Sequence, residues 1–123
     1  MKIKHYRRFH PCKIDRFYDI EKKLPLGNAQ ECRSLKELVA QSDIITLHTK
    51  VTDETIDMIG KKEIALMKKS AIFINTARAA LVDEDALFKA LKEKKIAGAG
   101  LDVFGVEPVD SDNMFLELDN VTV

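Results

Sequence analysis

Apolar residues in this chain come in short runs and in helical stripes. The strongest run is Ala71-Ile-Phe-Ile74, and its branched and aromatic residues predict a strand buried on both faces. Polar groups follow at once, with Asn75, Thr76 and Arg78 at its carboxyl end. Ile44-Ile-Thr-Leu47 predicts a second strand, followed by His48 and Thr49. Ile14 to Tyr18 reads as a short strand ending in Asp19. Ala97-Gly-Ala-Gly-Leu101 is a strand of small residues, which a helix or a cofactor can approach closely, and it ends in Asp102. Val121 to Val123 supplies a last strand.

Helical spacing fills the intervals. Ser34 and Glu37 have capping-box spacing ahead of a face made by Leu35, Leu38 and Val39. Asp53 to Met58 and Lys61 to Met67 read as short helices parted near Gly60. Asp83 is placed to cap a helix with Glu84 and Asp85 in its first turn. Ala86, Leu87, Ala90 and Leu91 form its apolar stripe, and Lys92, Lys94 and Lys95 close it, so both charge placements suit the helix dipole. Asn113 to Leu118 reads as a helical turn. Pro25, Gly27 and Asn28 mark Glu21 to Gln30 as a loop, and Val103 to Asp112 is a second loop, holding Glu107-Pro108. Strand alternating with helix predicts an α/β fold, a parallel sheet with flanking helices.

All carboxyl ends of a parallel sheet lie along one edge, where open α/β sheets bind ligands. Asp19, His48, Asn75 to Arg78 and Asp102 should therefore converge, with Glu107 leaning over the same crevice. Arg78 offers a rigid fork of donors that can grip a carboxylate through two hydrogen bonds. The plainer readings are a loop arginine bonded to a neighbouring acid, a turn acid at Asp19 and a structural hydrogen bond at His48.

The chain has 123 residues, which fits one domain, and 46% are hydrophobic, enough for a core. Lys plus Arg and Asp plus Glu are equal at 20 each, so the whole chain gives no electrostatic case for nucleic acid or membrane. No apolar run approaches the ~18 residues of a membrane span. Cys12 and Cys32 are not spaced as a CxxC pair, so reduced thiols in a cytoplasmic protein are expected. Met1 to Lys13 stands apart as an atypical basic segment, with Lys2, Lys4, Arg7, Arg8 and Lys13 interleaved with His5, Tyr6, Phe9 and His10. Such interleaving suits single-stranded nucleic acid, but a solvated tail is the simpler reading. His5, His10 and Cys12 lack a downstream partner pair, so no metal site is expected.

At this point the residues carry a resemblance. Asn75-Thr-Ala-Arg-Ala-Ala-Leu-Val-Asp-Glu-Asp-Ala-Leu87, followed by Gly98-Ala-Gly-Leu-Asp-Val-Phe-Gly-Val-Glu-Pro108, resembles the signature of the D-isomer-specific 2-hydroxyacid dehydrogenases. Phe17-Tyr-Asp-Ile-Glu-Lys-Lys-Leu-Pro-Leu-Gly-Asn-Ala29 is similar to the bacterial 3-phosphoglycerate branch of that family, and Ser42 to His48 and Asp119-Asn-Val121 fit as well. The resemblance spans residues 14–123 and implies a partial NAD-binding domain there, Rossmann-like but without the first βα unit. It implies hydride transfer between a small 2-hydroxy acid and NAD. Asp19 would bind the adenosine ribose, and its charge would favour NAD over NADP. His48, Thr76, Ala77 and Asp102 would contact the cofactor. Arg78 would hold the substrate carboxylate, polarise the reacting carbonyl and stand against the cofactor, and Glu107 would pair with a catalytic histidine and raise its pKa. The family dimerises through this domain, so a homodimer or pairing with a full-length homologue is implied.

The family pattern is not complete. The glycine-rich phosphate loop would stand about 20 residues before Asp19, at or before Met1. None of His5, His10 and His48 occupies the catalytic histidine's place, just after the Asp119-Asn-Val121 strand. Ala79 replaces the glycine usual after the arginine, at a cost of about 1 kcal/mol if that position needs a positive φ. In the family's strand order 3-2-1-4-5-6, Ile14–Tyr18 would be strand 2, Ile44–Leu47 strand 3 and Ala71–Asn75 strand 4. Too few residues separate Phe9 from Ile14 for a parallel crossover, so Ile3 to Phe9 should pair antiparallel or stay outside the sheet. The alternative reading is a catalytically inactive remnant that serves as a dimerisation or nucleotide-binding module.

Overall fold

The computed structural model describes residues 3–5 and 29–123. The strand expected over Ile14–Tyr18, Asp19, and most of the basic segment lie outside the described residues. By its contacts the chain divides into two units, Met1–Leu38 and Val39–Val123.

In the first unit, β1 (Ile3–His5) pairs in parallel with β2 (Ala29–Glu31). Two expectations change here. The N-terminal segment pairs parallel, because its partner is the strand beyond residues 6–28, which supply the length a crossover needs. Ala29 and Gln30, placed in a loop on the strength of Pro25, Gly27 and Asn28, belong to β2, a strand too short to show alternation. Helix α1 (Leu35–Gln41) follows. Ser34 Oγ accepts from the Glu37 amide at 3.1 Å, and the Glu37 carboxylate accepts from the Arg33 amide at 2.9 Å, a cap shifted by one residue from the ideal box.

The second unit holds a parallel sheet ordered β3 (Ile44–Leu47), β4 (Ile72–Asn75), β5 (Gly98–Leu101) and β6 (Val121–Thr122). Helix α2 (Lys61–Leu66) lies in the β3–β4 crossover and α3 (Glu84–Lys92) in the β4–β5 crossover. The expected order put two strands between Ile44–Leu47 and Ala71–Asn75. Instead they are bonded neighbours, in the register Ile44↔Ile72 to Leu47↔Asn75, because a helix-bearing connection returns the chain to the adjacent position.

Burial along the sheet alternates. Ile45, Leu47, Phe73, Asn75, Ala99 and Leu101 are buried, while Ile44 and Ile72 are 53% and 43% exposed. The apolar run was expected to be covered on both faces. One face is covered, by a core to which α2 gives Ile64, α3 gives Leu87, Ala90 and Leu91, and a 3₁₀ turn (Met114–Glu117) gives Phe115. Phe88 meets Phe115 edge-on with ring centroids 6.0 Å apart. Gly98 is fixed by close approach, since a Cβ there would stand 2.8 Å from the Asn120 carbonyl oxygen of the neighbouring chain segment.

Asp83 caps α3 as expected, its Oδ1 accepting from the Ala86 amide at 3.0 Å. Asp83→Ala is expected to cost about 1 kcal/mol of stability, read as a lower urea midpoint at unchanged m-value. An unchanged midpoint would show the cap to be without energetic weight. Asp53 to Met58 forms turns in place of the expected helix. Thr55 Oγ1 there donates to the Lys50 carbonyl, and the Asp57 amide leaves the local ladder for the Ala80 carbonyl at 2.9 Å.

Candidate functional site

The register of the sheet builds the site. Asn75, at the carboxyl end of β4, pairs with Leu47 at the end of β3 on one side and with Leu101 at the end of β5 on the other. His48, Thr76 and Asp102 therefore leave the sheet side by side along one edge, and all three are exposed. The ladder continues one step further, with the Asp102 amide donating to the Asn75 carbonyl at 3.1 Å. His48 Nε2 lies 3.0 Å from Thr46 Oγ1, the local hydrogen bond that its plainer reading required. Asp19 lies outside the described residues.

Asn75 organises the next three residues. Its side chain is buried at 2% exposure. Oδ1 accepts from the Ala77 amide at 3.1 Å, and Nδ2 donates to the Arg78 carbonyl at 2.9 Å. Both ends of the amide are used, so a polar group sits in the core without an unmet bond. Arg78 is exposed, and its Nη1 donates to the Ala77 carbonyl at 2.6 Å, not to a neighbouring acid. Ala79 opens a 3₁₀ turn (Ala79–Leu81). Among the described residues positive φ outside glycine occurs at Asp57 and Lys94, so Ala79 carries none of the strain that a left-handed backbone would bring.

Arg78 and Glu107 line one cavity of about 340 Å³, with Val51, Val103 and Phe104 among its walls. Glu107 is held by the Phe104 amide, which donates to its Oε1 at 3.3 Å. A second cavity, of about 360 Å³, adjoins it through Ala79, Ala80 and Gly105, and carries Asp57, Asp83, Glu84 and Asp85. The Gly105 amide between them donates to Glu84 Oε1 at 3.2 Å. One cavity carries four acids, and the other carries the Arg78 guanidinium with the Glu107 carboxylate. The arrangement thus offers an anion grip, an acid within the same cavity, apolar walls and a row of polar groups on the sheet edge beside it.

Comparison with known proteins bears directly on this edge. Residues 11–123 match the family described as D-isomer specific 2-hydroxyacid dehydrogenase, NAD binding domain. The chain belongs to this family. It is 48% identical over 109 residues to D-3-phosphoglycerate dehydrogenase of Haemophilus influenzae, an alignment covering 85% of this chain and 27% of that protein. It is 47% identical over 105 residues to glyoxylate reductase of Korarchaeum cryptofilum, covering 85% of this chain and 30% of the relative. The holo form of Rhodotorula graminis D-mandelate dehydrogenase superposes with a TM-score of 0.82 at 34% identity, over 99% of this chain and 33% of that one. The chain spans about a quarter to a third of the length of these dehydrogenases.

Sequence reasoning placed Asn75 at the strand end and gave it no task. The signal was there, a carboxamide where the buried run stops, but its burial depends on the alternation of β4, which an all-apolar run conceals. The walls Val51, Val103 and Phe104 carry no local sign that they share a cavity. They meet only when the loops after β3 and β5 fold over one edge.

Proposed function

We propose that this chain is an NAD-binding module of a 2-hydroxyacid dehydrogenase of the 3-phosphoglycerate type, organised as a partial nucleotide domain over residues 14–123 behind a separate basic segment, residues 1–13. The observation that carries the reading is the in-register strand edge with Arg78 and Glu107 in one adjoining cavity. A dinucleotide fits along that edge, where His48, Thr76, Ala77, Arg78 and Asp102 provide donors and acceptors; the role of Asp19 at the ribose hydroxyls rests on the family resemblance alone. Bound NAD supplies a hydride acceptor at its nicotinamide ring. Arg78 holds the carboxylate of a small 2-hydroxy or 2-oxo acid and polarises the carbonyl beside it. Glu107 favours a protonated imidazole next to it.

The second reading is a catalytically inactive module that binds nucleotide or pairs with itself or a full-length homologue. A cytoplasmic location suits both readings. No helix among the described residues is long and apolar enough to cross a membrane.

Fluorescence titration with NADH tests both, run beside an assay of NADH oxidation with phosphohydroxypyruvate, hydroxypyruvate and 2-oxoglutarate. Saturable binding is expected. Binding without turnover favours the module, turnover favours the enzyme, and no binding at millimolar NADH removes the enzyme and the nucleotide-binding module. A size-exclusion profile decides whether the chain pairs with itself.

A further inference from the structure

We infer that Asn75 is a positioning residue whose two ends act separately, the carbonyl oxygen fixing the cofactor-facing backbone at Ala77 and the amide nitrogen fixing the departure of Arg78. The inference rests on the reading of Arg78 as the carboxylate grip. It deepens that reading by adding the group that aims the arginine.

The geometry assigns the two ends without ambiguity. The Ala77 backbone offers an N–H, so it must face an oxygen, and the Arg78 backbone offers a carbonyl, so it must face an N–H. Only an unflipped carboxamide meets both. The Asn75 backbone is itself pinned, because its carbonyl takes the Asp102 amide and its neighbour across β3 is Leu47. The side chain thus reaches from a fixed point in the sheet to the two residues that bend away from it. Arg78 is exposed, and among the described residues its guanidinium donates to the carbonyl of the preceding residue, Ala77. Nothing in that bond aims the guanidinium at the cavity it lines. The direction in which the residue leaves the sheet is set by its backbone, and that backbone is held by Asn75.

The carboxamide has no close substitute. Aspartate keeps the acceptor for Ala77 but places a second oxygen against the Arg78 carbonyl, replacing a bond with a repulsion. Leucine fills the space but offers no acceptor to the Ala77 amide and no donor to the Arg78 carbonyl, which keeps only the Leu81 amide at 3.3 Å. The polar residue in the core therefore serves the geometry of the loop, at a position where an apolar one would suit the sheet alone.

The test compares the parent chain with Asn75→Asp and Asn75→Ala. Amide hydrogen exchange at Ala77, followed by NMR without ligand, reads the carbonyl end. Asn75→Ala should speed it by about tenfold or more, and Asn75→Asp should not. Oxalate titrated into the NADH-loaded chain reads the other end. Asn75→Asp should weaken oxalate by about tenfold, more than it weakens NADH. Lowering the pH from about 8 to about 5 should restore oxalate binding in Asn75→Asp relative to the parent, because the protonated carboxyl can again donate to the Arg78 carbonyl. A residue with a merely structural role would not give this acid recovery. Unchanged Ala77 exchange in Asn75→Ala overturns the inference, as does parent-like oxalate affinity in Asn75→Asp at high pH. If the parent binds NADH but no oxalate, the Arg78 reading fails instead, and the exchange measurement alone decides whether Asn75 holds the loop. Should Asn75→Ala not fold, Asn75→Leu, which fills the space without an acceptor for the Ala77 amide, takes its place in the exchange measurement.

Discussion

Arg78→Ala is expected to lose roughly 10- to 150-fold in affinity for oxalate in the NADH-loaded chain, the equivalent of about 1.5–3 kcal/mol for hydrogen bonds to a charged group. Its thermal midpoint should hardly move, because the side chain is exposed and donates to the carbonyl of the residue just before it. Arg78→Lys should recover the charge but not the two-pronged grip, and so stay about tenfold weaker than the parent chain. The checks are calorimetric titration with oxalate and a circular dichroism melt on the same samples. An alanine variant that binds oxalate as well as its parent would remove Arg78 from the site, whatever the cofactor does.

The second large effect is on stability, and it contrasts two adjacent residues. Phe73 has 0% exposure, and Phe73→Ala is expected to cost about 3–5 kcal/mol. Set against a net stability of about 5–15 kcal/mol for a domain, that is roughly a fifth or more of the whole. Ile72, at 43% exposure, points to the opposite face, and Ile72→Ala should cost roughly 1 kcal/mol. Urea unfolding followed by far-UV circular dichroism measures both. Equal losses would mean that the outer face of β4 is covered in solution as well as the inner one.

That contrast also shows what the amino-acid pattern could and could not convey. Ile44–Leu47, Ile72–Asn75 and Gly98–Leu101 were legible as strands because apolar residues stop abruptly at polar ones. The cap at Asp83 was legible because its chemistry is local. The pairing of β3 with β4 was not, since no residue of either strand announces its neighbour. Nor was the one-sided burial of β4, because isoleucine suits a covered face and an open one alike. Asp53 to Met58 misled for a different reason. Its composition permits a helix, but Thr55 and the Asp57 amide find partners at Lys50 and Ala80, and the second of these is distant in sequence. For the site, His48, Thr76 and Asp102 needed only the rule that parallel strands end together. The cavity joining Arg78 to Glu107 needed the path of a loop.

The matched ends of β3, β4 and β5 tie chemistry to the lattice of the sheet itself. Sliding any one strand by a single residue would turn its inward side chains outward and carry its terminal polar group out of line with the other two. Mutational drift therefore has little freedom on these strands. New substrate preferences in a lineage built on this scaffold should arise through Val51, Val103 and Phe104, whose loops can lengthen or change while the strand ends stay in step.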